Sequence, residues 1–163
     1  MEIVISDTNI FIDLWNIGLL ERFCELPLSI HTTDFIIGEL KTQGVKDAIA
    51  QLHQKGKITI KTFKSNEYAE IMSKNKNLSF QDCTVLYYAL NGDYKLLTGD
   101  RNLRVIAERH GLQVSGIIYV MDELLHHDII SKEEYTIKLK ALLESNHRLP
   151  TKEIMKRIED SLR

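Results

Sequence analysis

The hydrophobic pattern changes character several times along the chain, and each change marks an element. It opens on Ile3-Val4-Ile5, an unbroken β-branched run closed by Ser6-Asp7-Thr8-Asn9. A half-solvated strand would alternate apolar and polar positions, so this run predicts a central parallel strand covered on both faces. Ile10, Leu14, Ile17, Leu20 and Phe23 then recur at helical spacing, with Gly18 breaking the segment into two short helices and Pro27 ending it. Leu28 to Thr32 predicts a second strand, after which Thr33 or Asp34 can cap a helix starting at Phe35. Another helix is expected from about Val45 to Lys55, closed by Gly56. Residues 57–63 alternate as a half-exposed or edge strand should.

A polar helix is expected from Ser65 to Lys74 and a stronger one from Phe80 to Leu90, ending in the turn Asn91-Gly92-Asp93. Tyr94 to Thr98 predicts a short strand and Asn102 to His110 a helix closed by Gly111. Leu112 to Ile118 supplies one more strand. Strands alternating with helices imply a three-layer α/β/α fold around a mostly parallel sheet. Beyond Tyr119 the pattern is helical only: Val120 to His127, Lys132 to Glu144 and Thr151 to Leu162. These define a C-terminal helical extension, residues 121–163, expected to pack on the α/β domain of residues 1–120 or to make a dimer.

Composition narrows the class. The chain has 163 residues, 44% hydrophobic and 27% charged, which suits one compact soluble domain. No stretch of about 18 apolar residues is present, so no membrane span is expected and a cytoplasmic location follows. Cys24 and Cys83 form no CxxC pair, and the six histidines are scattered, which leaves a disulfide framework or a zinc ribbon without support. A net charge of −2 argues against a broad nucleic-acid-coating surface and still permits a local basic patch beside an acidic site.

That acidic site is the main chemical signal. Asp7 ends the first strand, where open α/β sheets place their ligands. Glu39 stands four residues after Phe35 and three after Ile36, on their inward face. Asp82 heads the stripe Val85, Leu86 and Ala89, at the end of a helix that must open near the strands' carboxyl edge. Asp100 follows the Leu96-Leu97 strand and reaches the same edge. Each acid has a bland use: Asp7 and Asp100 as helix caps, Asp82 in a capping-box-like Ser79-Phe80-Gln81-Asp82, Glu39 as partner of Lys41. Four of them meeting at one sheet edge is better explained by chemistry. Clustered carboxylates resist burial unless a cation compensates them, and an all-oxygen donor set favours Mg²⁺ or Mn²⁺ over zinc. Such a site suits phosphodiester hydrolysis, in which the metal activates water and stabilises the attacking and leaving oxygens.

These residues resemble the motifs of the PIN-domain nuclease family: Asp7-Thr8-Asn9, Phe35-Ile36-Ile37-Gly38-Glu39-Leu40, Gln81-Asp82-Cys83-Thr84-Val85 and Leu96-Leu97-Thr98-Gly99-Asp100-Arg101-Asn102. The resemblance runs from about Ile3 to Ile118, and His147-Arg148-Leu149-Pro150 is similar to a VapC-toxin-like prokaryotic branch with extra C-terminal helices. It implies a metal-dependent endoribonuclease acting on single-stranded RNA, as the toxin of a toxin–antitoxin pair with a cognate antitoxin protein, and a homodimer. Carried over, Asp7, Glu39, Asp82 and Asp100 are the catalytic and metal-binding set, with Asn9 and Thr98 orienting them. Lys41, Lys46, Arg101 and Arg104 are candidate phosphate contacts. Many relatives carry a further acid just after the Asp100 position, where this chain has Arg101 and Asn102; that leaves one or two metals open. A haloacid-dehalogenase-type phosphatase would need an Asp at Asn9, and a receiver domain would need its acids in another order. The remaining rival is a PIN-like fold that binds RNA or a partner without cutting.

Overall fold

A computed structural model describes all 163 residues. Five strands form one sheet: β1 (Glu2–Ser6), β2 (Leu28–Thr33), β3 (Ile58–Lys61), β4 (Lys95–Leu97) and β5 (Val114–Ser115). Every pairing is parallel, and the spatial order is β3-β2-β1-β4-β5. The apolar opening run is therefore the central strand. Val4 and Ile5 are fully buried, as a strand covered on both faces requires. Strand order reverses beside β1: the chain first builds outward through β2 and β3, then returns to add β4 and β5 on the other side. That reversal opens a crevice at the carboxyl ends of β1 and β4.

Ten helices cover the sheet, and five of them begin at a residue whose side-chain oxygen accepts from a first-turn N–H group. They are α1 (Thr8–Asn16), α2 (Leu20–Phe23), α3 (Asp34–Glu39), α4 (Gln43–Gln54), α5 (Ala69–Lys74), α6 (Phe80–Gly92), α7 (Arg101–Arg109), α8 (Ile117–His126), α9 (Lys132–Ser145) and α10 (Thr151–Ser161). Thr33, Ser79, Asp100 and Ser131 each accept from a backbone N–H of the first turn that follows. Asp93 closes α6 in the left-handed conformation, a role Asp tolerates better than most residues. One continuous core of 38 buried residues joins the sheet to the helices on it, from Val4 and Ile5 through Leu139, Leu142, Ile154 and Ile158. α9 packs on α1, α8 on α2, and α10 on α9.

Two elements differ from the sequence expectation. The run Leu112 to Ile118 does not continue as a strand: β5 has two residues, Gly116 takes an extended N-cap conformation, and Ile117 and Ile118 open α8. The β4–β5 ladder pairs Leu96 with Val114 and Leu97 with Ser115 and closes with Thr98 N–H donating to the Ser115 carbonyl at 3.0 Å. The remaining apolar residues bury themselves as one helix face instead, with Ile117, Val120, Met121 and Leu124 inside. The polar helix expected from Ser65 begins only at Ala69 and buries none of its own residues.

Candidate active site

Asp7 is the hinge between β1 and α1. Its own N–H donates to the Leu97 carbonyl at 2.9 Å, which ties it to the end of β4. Its carboxylate is 3% exposed, with Oδ1 accepting from Thr8 N–H at 2.7 Å and Oδ2 from the Thr98 hydroxyl at 2.8 Å. Thr98 in turn accepts from Asp100 N–H at 3.0 Å, so a single buried hydroxyl sets the spacing between the first and last acids. Asp100 caps α7, its Oδ1 accepting from Leu103 N–H at 2.9 Å. Asp82 sits in the first turn of α6, where Ser79 Oγ accepts its N–H at 3.1 Å.

Glu39 arrives differently from the sequence argument. It is exposed rather than inward-facing, because α3 has only six residues and Glu39 is the last of them. Its Oε2 accepts a 2.6 Å hydrogen bond from the Thr8 hydroxyl, and that bond, not an ion pair with Lys41, brings it to the cleft. Thr8 is the cleft residue that sequence reasoning passed over. A hydroxyl directly after a strand-end acid was its only signal.

Beneath the carboxylates runs a layer of buried hydroxyls. Thr32 donates to the Ser6 carbonyl at 2.8 Å, and Thr33 Oγ1 lies 2.8 Å from Thr84 Oγ1 while also capping α3. These bonds fasten the carboxyl ends of β1 and β2 to α6 and fix the frame from which the acids project. No buried side-chain nitrogen or oxygen lacks a partner.

All four acids line one cleft of about 460 Å³, together with Thr8, Asn9, Ser79 and Lys41. None of the four forms an ion pair. Their charges are felt instead as repulsion. Asp7 is raised to about 6, mainly by burial, held back by its bonds from Thr98 and Thr8, and pushed further by Glu39 and Asp100. Asp82 is raised to about 7 by burial, then by the charges of Asp7 and Asp100, with the Ser79 bond opposing and Glu39 adding. This uncompensated negative field, built from oxygen donors alone, fits a hard divalent cation. Asp7, Glu39 and Asp100 are engaged with local donors, and no three His, Cys, Asp or Glu side chains are gathered closely enough to grip an ion.

The other expected residues are distributed around this centre. Asn9 lies exposed on the first turn of α1, lines the cleft and makes no side-chain hydrogen bond. Lys41 is exposed on the cleft wall, whereas Lys46 is half-buried on α4 and does not line it. Arg101 and Arg104 line neighbouring grooves. Cys83 is buried, Cys24 is half-buried, and both are free thiols.

A parallel sheet with carboxylates collected at the reversal of its strand order defines an α/β protein with an acidic cleft at the strands' carboxyl edge. The chain belongs to the PIN-domain family: a family model described as DUF3368, PIN domain, matches residues 3–161. PIN domains are generally nucleases that use divalent metal ions. The fold is similar to that of a PilT N-terminus domain protein from the hyperthermophilic archaeon Sulfolobus solfataricus, with a TM-score of 0.51 and 12% identity over 76% of this chain and 93% of that one. No curated protein matches it in sequence. No helix is long and apolar enough to cross a membrane.

Proposed function

We propose that this protein is a Mg²⁺- or Mn²⁺-dependent endoribonuclease that hydrolyses phosphodiester bonds in single-stranded RNA. The observation that carries the reading is the convergence of Asp7, Glu39, Asp82 and Asp100 on one cleft with no cationic side chain paired to any of them. Family membership favours the nuclease over a phosphatase. A bound divalent ion would polarise the phosphate and lower the pKa of its water.

The chain's own residues supply the rest. Asp7, Glu39, Asp82 and Asp100 are the metal-holding set, with Glu39 tied to the cleft by the Thr8 hydroxyl. Thr98 keeps the Asp7 carboxylate in one orientation, which reduces the reorganisation needed when the ion enters. Lys41 on the cleft wall and Arg101 in the adjoining groove offer positive charge to the flanking phosphates. We assign the toxin half of a toxin–antitoxin pair as the cellular role; the proposed partners are a cognate antitoxin protein and a second copy of this chain.

The test is incubation of the purified protein with end-labelled single-stranded RNA and either Mn²⁺ or Mg²⁺, beside Asp7→Asn and Asp82→Asn. Cleavage that requires the metal and falls by about 10²-fold or more in both variants is expected. Equal cleavage by the variants would falsify the assignment of the chemistry to these acids, and no cleavage by any preparation would leave a binding module in its place.

A further inference from the structure

Asp13 is a buried carboxylate that the chemistry at Asp7 does not use. It is 5% exposed on α1 and has no cationic partner. Both of its oxygens accept from one group, the Asn146 side-chain amide, at 3.1 and 3.3 Å. A carboxylate buried against a single neutral donor is poorly compensated, so for the core alone an apolar residue would serve better. What the contact achieves is placement. Asn146 ends α9, and its Oδ1 accepts from Arg148 N–H at 3.0 Å, so the α9–α10 loop is fixed onto α1.

That loop flanks the acidic cleft. A second cleft of about 480 Å³ shares Asn9, Ile12 and Asp100 with the first and adds Arg101, Asn146 and Arg148. A third, of about 730 Å³, continues past Arg101 and Arg148 to Arg104. Arg148 is exposed and forms no ion pair, and neither does Arg101 or Arg104. Three unpaired guanidinium groups thus lead away from Asp100 along continuous grooves. Planar, permanently charged forks spaced along a groove match the repeated phosphates of a single strand.

We propose that the loop of residues 146–150 is part of the nucleic-acid path, with Arg148 binding a substrate phosphate beside Asp100 and Asp13, through Asn146, as the residue that positions it. The proposal rests on the nuclease reading of the cleft. It gives the C-terminal extension a share in binding as well as packing.

The test is fluorescence anisotropy of a short labelled single-stranded RNA with the full chain, over a series of salt concentrations, with Ca²⁺ replacing Mg²⁺ to neutralise the carboxylates. Arg148→Ala should weaken binding about five- to tenfold and flatten the log affinity against log salt slope by about 0.7, the loss of one phosphate contact on a single strand. Arg148→Lys should keep the slope. Arg109→Ala, at the opposite end of α7, should change neither. Asp13→Ala and Asn146→Ala, each checked for folding by thermal melting, should lower the slope as Arg148→Ala does, and either one combined with Arg148→Ala should add nothing further. Wild-type slope and affinity in Arg148→Ala, with RNA bound normally, would overturn this proposal alone. Absence of RNA binding by the wild-type protein would overturn it together with the nuclease reading.

Discussion

Thr98 carries more of the site than its size suggests. It donates to Asp7 and accepts from Asp100 N–H while itself fully buried. Replacing it with Val keeps the shape and leaves both partners without that bond, at a cost of about 1–3 kcal/mol. The lost bond held the Asp7 pKa down, so Thr98→Val is expected to raise it beyond about 6. Metal affinity should then need a higher pH, whereas Thr98→Ser should behave as wild type; Mn²⁺ calorimetry over a pH series checks this. The same reasoning fixes the pH dependence of the metal-free fold. Asp82 is raised from 3.8 to about 7, so the folded state holds its proton over a window where the unfolded chain has lost it. Stability is therefore highest at the acid end of that window and falls as pH rises from about 4 to about 7. Above it, Asp82→Asn should melt higher than the metal-free wild type, by about 1–2 kcal/mol after allowance for partial solvent screening.

At the scale of elements, how much the sequence discloses depends on whether a partner is local. The β1 run, the Gly18 break and the Ser79 cap rest on neighbours within a few residues, and the structure has them where the pattern places them. Leu112 to Ile118 misleads, because the β-branched Ile117 and Ile118 lie past the last β4–β5 pair and are buried on α8 instead. Glu39 was legible as an acid near the edge, but its anchor, the Thr8 hydroxyl, is 31 residues away in sequence. The Asn146–Asp13 contact spans 133 residues, and no periodicity can register it. Helix spacing also hides the seat of Trp15, the chain's only tryptophan, which lies against Gly44 of α4. A Cβ at Gly44 would stand 2.6 Å from the indole Cζ2. Gly44→Ala is expected to displace the exposed ring edge and shift its fluorescence emission.

For the molecule as a whole, the helical extension of residues 121–163 shares its buried core with residues 1–120. Leu139, Leu142, Ile154 and Ile158 belong to the same buried cluster as Val4 and Ile5. We expect a chain cut after Val120 to expose that cluster and lose its cooperative thermal transition, and Leu139→Ala in the full chain to cost about 2–5 kcal/mol. Preserved cooperative melting of the shortened chain would contradict a shared core. The same unity links chemistry to fold: β1 and β4 deliver Asp7 and Asp100, α3 and α6 deliver Glu39 and Asp82, and the sheet's strand order decides that all four arrive at one edge.

Whether those four acids act as a metal site is most directly measured by titrating Mn²⁺ into the protein by calorimetry, at pH ~8 and again at pH ~5.5. Binding releases protons wherever ligands must ionise first. With Asp82 near 7 and Asp7 near 6, the account predicts clear binding at the higher pH, loss of most of that affinity at the lower, and about 10- to 100-fold weaker binding in Asp82→Asn. Mn²⁺ affinity that ignores pH, or that survives Asp82→Asn unchanged, would contradict it.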